Sequence, residues 1–372
     1  MSPDQEKNTG SDRILVAMSG GVDSSVAAAL LVEQGREVVG VTLNLAGDTS
    51  RCCSLEDADD ARKVAETLGI RFFVANYADR FREEVIEEFA DSYLRGETPI
   101  PCVACNKRFK FDYLMDRASV FGAETVATGH YARVSKSSET GLFELRRPRD
   151  TNKDQTYFLF QLDQAQLAGT SFPLGDMSKE EVRLRAADLG LATAHKPESQ
   201  EICFVPDGDY ARVVEKIRPE ATRLTGDLVD SSGQTLGQHK GVHRFTIGQR
   251  HGLGISSNRR LYVKEIRAKT QEVIVGDAKD LDETLAHVNQ VNWISGSLPS
   301  APVRARVQVR YRHAGVPATI TPLPDQRAQL VFDEPVRAIA PGQAAVFYGL
   351  DDDMEQGERV LGGGWLSSQA SS

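Results

Sequence analysis

No stretch of the sequence is long and apolar enough to cross a bilayer: the longest unbroken apolar run, Val26 to Val32, falls far short of the ~20 residues a spanning helix needs. No charged-then-apolar signal segment opens the chain, so the cytoplasm is the expected compartment and no membrane partner is expected. Cysteine is scarce, five in 372 residues and an odd number, which excludes a disulfide scaffold and leaves reduced thiols that are catalytic, metal-binding or bland. Basic residues are outnumbered, 44 Lys and Arg against 53 Asp and Glu for a net charge of -9, so any nucleic-acid contact has to come from local charge. Internal repeats are also missing. What remains is an ordinary globular mixture, 40% apolar and 26% charged, with room for two or three domains. Residues 1–12 and 366–372 carry small and polar side chains without a periodic apolar face and stand outside the expected fold.

The first 130 residues alternate two patterns. Strands are expected at 14–18 (ILVAM), 38–43 (VVGVTL), 72–77 (FFVANY) and 124–129 (ETVATG). Between them one helix starts at about Ser24, and a second is opened by Ser54 and Asp57 at capping-box spacing, with Ala58, Ala61, Val64, Ala65 and Leu68 on one face. A third runs through Phe81, Val85, Ile86, Phe89 and Tyr93. This alternation predicts an α/β domain with a doubly wound parallel sheet. Ser178 and Glu181 form another capping box, starting a helix that ends near Gly190. After about residue 205, Gly-punctuated segments such as GDLVDSSGQTLG predict a small central α/β domain, and closely spaced short strands from VNWISG to RVLGGG predict a terminal β-barrel or sandwich. The expected boundaries are 13–205, 206–285 and 286–366. From Val303 to Arg312 strict alternation would place Arg304, Arg306, Gln308, Arg310 and Arg312 on one strand face over a floor of Val303, Ala305, Val307, Val309 and Tyr311. That pattern alone fits a solvated face as well as an RNA footprint.

The strongest single motif is Ser19-Gly20-Gly21-Val22-Asp23-Ser24, directly after the first expected strand and directly before a helix. Two glycines let the backbone approach a phosphate, successive N–H groups form an anion nest, and the helix N-terminus adds partial positive charge. No Gly-Lys-Ser/Thr follows, so the loop is not of the Walker type, and γ-phosphoryl transfer is not the natural inference. A loop that holds diphosphate suits chemistry that cuts ATP between the α- and β-phosphates and leaves an adenylate. A Ser-Gly-Gly tract is otherwise often a plain strand-to-helix turn.

Adenylation turns a carbonyl oxygen into a leaving group, and the incoming nucleophile then decides the reaction. Cysteine is the conspicuous candidate, because thiolates carry sulfur as persulfides and exchange disulfides without another cofactor. Cys102 and Cys105 lie in TPIPCVACNK, a Pro-stiffened loop opening a helix, a placement that tends to lower a thiol pKa. Cys203 sits in SQEICF. Taken singly, Cys52 or Cys53 reads as a small buried hydrophobe. The rival for the group is metal: Cys102, Cys105 and Cys203 supply three thiolates, enough for zinc with one outside ligand or for a four-iron cluster with an open iron. Spacing does not separate these alternatives.

SGGVDS resembles the pyrophosphate loop of the PP-loop ATP pyrophosphatase superfamily. With TPIPCVACNKRFKF, ATGHYAR, NKDQTYFL, SQEICF, TIGQRHGLG and PGQAAVFY following in order, the chain resembles the bacterial tRNA-specific 2-thiouridylase family from about residue 13 to 364. The resemblance implies a PP-loop catalytic domain, a small central domain and a C-terminal β-barrel that grip the anticodon arm of tRNA. It implies ATP, with Mg2+, bound by Ala17, Met18, Ser19, Gly20, Gly21, Val22, Asp23, Ser24, Leu43 and Gly129. It implies tRNA contacts at His130, Lys153, Asp154, Gln155, Arg310, Tyr311, Arg312 and Gln343, and so reads the Arg stripe as RNA-binding. The implied reaction adenylates the C2 oxygen of the wobble uridine, position 34, and replaces it with sulfur. The sulfur comes from a persulfide on Cys203, filled by a donor protein, with Cys105 as partner nucleophile, and yields 2-thiouridine, AMP and diphosphate.

One branch of the family carries Asp, its supposed general acid/base, where this chain has Cys102; another has Cys. That departure leaves the proton-transfer role unassigned and keeps open a [4Fe-4S] cluster on Cys102, Cys105 and Cys203. More distant alternatives are a PP-loop amidating ligase, which needs no pair of distant cysteines, and a non-catalytic RNA-binding module with a structural metal.

Overall fold

The computed structural model describes residues 13–45, 55–198, 202–205, 207–350 and 357–368. Ser54, Cys52 and Cys53, and with them the first capping box, lie outside the described residues. The chain divides into two compact units. One comprises Met1–Ala78, Asn106–Thr156 and Gln164–Gln200, the other Asp79–Cys105, Tyr157–Asp163 and Glu201–Ser372.

The first unit holds strands β1 (Arg13–Ala17), β2 (Glu37–Asn44), β3 (Arg71–Asn76) and β4 (Thr125–Thr128), a hairpin of β5 (Arg133–Lys136) and β6 (Phe143–Arg146), and a short β7 (Thr170–Ser171). Five of these form a parallel sheet in the order β3-β2-β1-β4-β7, with Leu15 opposite Val39 on one side and Val126 on the other. Such a sheet is covered on both faces, and β1 accordingly reads as an unbroken apolar run with Leu15 and Val16 fully buried. Helix α1 (Val22–Glu33) begins two residues before the expected Ser24. Its middle, Ser24–Ala29, is buried on successive positions, and the helix packs with Val182 and Ala186 of helix Lys179–Asp188. That second helix starts at the Ser178/Glu181 capping box, both hydrogen bonds of which are formed. Helix α2 (Leu55–Leu68) buries Ala58, Ala61, Val64 and Ala65 as its spacing demands. The order of strands reverses at β1: β2 and β3 build outward on one side and β4 on the other. In open α/β sheets the crevice at such a switch point is where ligands bind.

In the second unit, Phe81, Val85, Phe89 and Tyr93 recur every four residues and are all buried, at 1%, 2%, 1% and 5% exposure. A regular α-helix would let that stripe drift round its surface; the wider π-helical turns at Arg82–Glu87 bring it back to one face. The central sheet contains β8 (Gly226–Asp230), β9 (Thr235–His239), β10 (Tyr262–Arg267) and β11 (Glu272–Gly276) in the mixed order β10-β11-β8-β9. Six further strands, β12 (Asp282–Trp293), β13 (Val303–Gln308), β14 (Val316–Leu323), β15 (Arg327–Arg337), β16 (Ala344–Tyr348) and β17 (Val360–Ser367), close into an antiparallel barrel.

The Arg stripe is shorter than the alternation predicts. Strand β13 ends at Gln308, which is buried, and its Nε2 donates to the carbonyl of Arg310 at 3.1 Å. The chain then turns, with His313 N–H donating to Arg310 O and Arg312 at a φ of 64°. A buried amide in place of an outward side chain breaks the period, so Arg310 and Arg312 belong to a turn and not to the strand face. Within the strand, Arg304 forms a two-pronged pair with Asp333 and Arg306 meets Glu358, so both guanidinium groups already have carboxylate partners.

Candidate active-site elements

In the first unit the residues nominated for the nucleotide gather at the carboxyl ends of the central strands. Ala17 closes β1, Leu43 lies one residue from the end of β2, and Gly129 follows β4. Met18 stays paired beyond its strand: its N–H donates to Val41 O at 2.8 Å and its carbonyl accepts from Thr42 Oγ1 at 2.6 Å. The next residues are held by their own hydroxyls. Ser19 N–H donates to Ser24 Oγ at 3.1 Å, and the Ser24 and Ser25 hydroxyls both donate to Gly21 O, at 3.1 and 2.9 Å. Gly21 caps α1 without a side-chain hydrogen bond, so no side chain occupies the N–H groups of the first turn.

Two glycines are sterically required here. Gly20 sits at a φ of 70°, and a Cβ there would lie 2.2 Å from Asp57 O. At Gly129 a Cβ would meet Ser24 N at 2.6 Å. The switch point is therefore closed by backbone lying directly against backbone.

Around this loop stands an ionic cluster that the motifs alone do not reveal. The Asp23 carboxylate accepts from Tyr131 Oη at 2.9 Å and from Lys179 Nζ at 2.7 and 2.8 Å. Lys179 is only 8% exposed and also meets Glu198, which accepts from Lys153 Nζ at 2.7 Å. Burial pushes the Glu198 carboxyl up, but the hydrogen bonds and charges of Lys153 and Lys179 outweigh it and hold the group at about 2. Burial and the Asp23 charge push the Tyr131 phenol up, which keeps it a donor. Lys196 binds Asp57 at 2.7 Å and Asp60 at 2.6 Å, beside the carbonyl that crowds Gly20. Lys179 belongs to none of the motifs singled out in the sequence; the one signal that could have found it is a cation at the first position of a helix, which runs against the macrodipole.

Of the residues nominated for RNA, four lie in this unit. His130 is 7% exposed, with Nδ1 2.7 Å from Thr128 Oγ1. Burial, with the nearby Lys110 charge, holds its imidazole well below the usual range, so it is neutral near pH 7. Lys153 holds Glu198, Asp154 accepts from Arg147 at 2.9 Å, and Gln155 Oε1 accepts from Tyr131 N–H at 2.9 Å. This segment is tied to the nucleotide loop through Tyr131.

The second unit carries the cysteine segments. Pro101 opens a helical turn (Pro101–Ala104) in which Pro101 and Val103 are buried, Cys102 is exposed and Cys105 is half-buried at the head of a π-helical stretch (Cys105–Tyr113). Half-buried Cys203 is anchored by its neighbour: the Phe204 ring packs edge-on against Phe89 at 5.1 Å and Phe81 at 6.0 Å. Among the described residues no three His, Cys, Asp or Glu side chains are grouped to hold a metal ion, so the arrangement of Cys102, Cys105 and Cys203 gives an iron–sulfur cluster no support. Tyr311 is 37% exposed and lies on Phe158 at 4.6 Å, Arg310 Nη1 donates to Arg337 O at 2.9 Å, and Gln343 Nε2 donates to Thr98 O at 2.8 Å.

The chain matches three family models: a tRNA methyl transferase HUP domain over residues 12–207, a tRNA methyl transferase PRC-barrel domain over 212–277 and an aminomethyltransferase β-barrel domain over 283–366. It is 49% identical to a Solibacter usitatus protein named tRNA-specific 2-thiouridylase MnmA, covering 95% of this chain and 98% of that one. Proteins of the same name from Geobacter metallireducens and Moorella thermoacetica are each 48% identical, with 96% of this chain covered and 97% and 99% of theirs. No helix among the described residues is long and apolar enough to cross a membrane.

Proposed function

The chain belongs to the tRNA-specific 2-thiouridylase family, and from that premise we propose that it uses ATP to adenylate the C2 oxygen of uridine 34 in tRNA and replaces that oxygen with sulfur. The observation that carries the reading is the loop Met18–Ser24 at the switch point, self-braced and opening on the bare first turn of α1. Its amides suit the β- and γ-phosphates, so that attack of the uridine oxygen on the α-phosphorus expels diphosphate. Lys179 and Lys196, each already held by carboxylates, border the loop with their ammonium groups oriented before the nucleotide arrives. Mg2+ bound with the triphosphate would supply neutralisation of charge on the phosphate oxygens.

Sulfur chemistry falls to Cys203 and Cys105. A persulfide on Cys203, filled by a persulfide-carrying donor protein, attacks C2 through its terminal sulfur and displaces AMP. The Cys105 thiolate then attacks the inner sulfur of Cys203, leaving a thiocarbonyl on the base and a disulfide between the two cysteines, which a dithiol reductant reopens. Phe204 and the Pro101 turn fix the two thiols in the fold. The buried, neutral His130, Lys153–Gln155 and the Arg310–Arg312 turn are the residues we assign to the anticodon arm, whose splayed loop exposes base edges. The working compartment we assign is the cytoplasm.

The test is incubation with tRNA, a sulfide or persulfide donor and ATP labelled at the α-phosphate. It is expected to give AMP, diphosphate and 2-thiouridine in the nucleoside digest. Cys203→Ser and Cys105→Ser should each lower 2-thiouridine by more than about 1000-fold. Release of ADP and phosphate, or thiolation at the normal rate by either serine variant, would overturn the reading.

A further inference from the structure

The turn at Ala340–Gln343 joins β15 to β16 and takes up both backbone polar groups of one distant residue. Thr98 N–H donates to Pro341 O at 2.8 Å, and Thr98 O accepts from Gln343 Nε2 at 2.8 Å. Between these bonds Gly342, at a φ of 85°, lies so close that a Cβ would stand 3.0 Å from both Thr98 N and Glu97 Cβ. The turn is itself fastened to the barrel: Gly342 N–H donates to Leu366 O at 3.0 Å and Leu366 N–H to Gln343 O at 2.8 Å. On the other flank Gly96, at a φ of 79°, abuts Ile266 of β10, whose Cγ2 would be 2.8 Å from an added Cβ. Residues 96–98 are thus gripped by the barrel and by the central sheet.

From Thr98 the chain reaches Cys102 through Pro99, Ile100 and Pro101. Each proline fixes its own φ and restricts the residue before it, so this short arm has few soft torsions. Fixing the Thr98 peptide therefore fixes the direction in which Cys102 and Cys105 are presented. We propose that Gln343 is a positioning residue for the cysteine loop, acting through Thr98, a role beyond the RNA contact that the family resemblance implies. The proposal rests on the reading of Cys105 as a sulfur-handling nucleophile. Its physical basis is that a reacting group displaced by an ångström loses much of its advantage even when every chemical group is retained.

The experiment compares the full chain with Gln343→Met, which keeps the side-chain length and removes the donor, and with Gly342→Ala, which disturbs the same contact by crowding. Melting curves establish that each variant is folded. For Gln343→Met, kcat at saturating ATP and tRNA, where a weakened tRNA Kd no longer limits the rate, is expected to fall about tenfold. The rate of Cys105 alkylation by iodoacetamide without tRNA, followed by peptide mass analysis, is expected to rise severalfold as the loop is released. Gly342→Ala should show the same fall in kcat and rise in alkylation, so a failure of one variant to fold leaves the other to decide. Unchanged kcat at saturating tRNA together with an unchanged Cys105 alkylation rate would overturn the proposal, whatever the tRNA Kd from filter binding. Alkylation needs no turnover: a shifted Cys105 rate alongside full thiolation by Cys105→Ser would sustain positioning while removing the sulfur role of Cys105.

Discussion

Between Ser19 and Ser25 the backbone is braced by its own neighbouring hydroxyls, whereas between Gly96 and Cys105 it borrows its scaffolding. The nucleotide loop is braced by Ser19, Ser24 and Ser25, all within a few residues of the backbone they bind. The cysteine loop leans on Gln343, 245 residues away, and on Ile266 of another sheet. Chemistry that needs only backbone amides at a helix end can be written into a short motif. Chemistry that needs a thiol aimed in a set direction is written across the whole fold, because the aim depends on what the segment rests against.

The comparison breaks most sharply at Gly20. Placing a Cβ 2.2 Å from Asp57 O at a left-handed φ, Gly20→Ala should lower AMP release by more than about 100-fold. Activity near normal would mean that the loop is less rigid than its hydrogen bonds imply. A smaller effect sharpens the ionic side of the same loop. The Glu198 carboxyl is depressed to about 2 in the folded protein against an ordinary value of 4.5. A group whose folded pKa is lowered stabilises the fold above its unfolded value, and that contribution is lost as pH falls through the folded value. The Tm gap between the natural protein and Glu198→Gln should therefore be widest above about pH 4.5, at about 2–5 °C, and close towards pH 2. A gap that grows on acidification would contradict the assignment. The smallest effect belongs to the barrel surface: the Arg304–Asp333 pair is exposed, and Arg304→Ala should move Tm by no more than about 2 °C. A larger drop would show the barrel depending on its charged face.

The parallel sheet was legible because β1 and β2 carry the apolar runs Ile14–Ala17 and Val38–Val41 and α1 the run Val26–Val32, a density that burial from both sides explains. The capping box at Ser178 was legible because both partners lie within one turn. The Arg304–Arg312 alternation misled past Gln308, since a period of two cannot announce that one polar side chain will turn inward to hold a turn. Within the candidate site, the Ser-Gly-Gly tract declared itself, but Lys179, Lys196 and Glu198 did not, because what marks them is a partner more than a hundred residues away or a charge pair formed only on folding. Likewise the pairing of Thr98 with Gln343 follows from no spacing in the chain.

The barrel closes on itself from β12 round to β17 and so offers no free strand edge from which to fray. Thr98 belongs to no helix or strand, yet its amide hydrogen is held by a turn that is bonded into that ring at Leu366. Solvent exchange at this one loop amide is thereby tied to the opening of the closed ring, and an irregular segment gains the persistence of a sheet without edges.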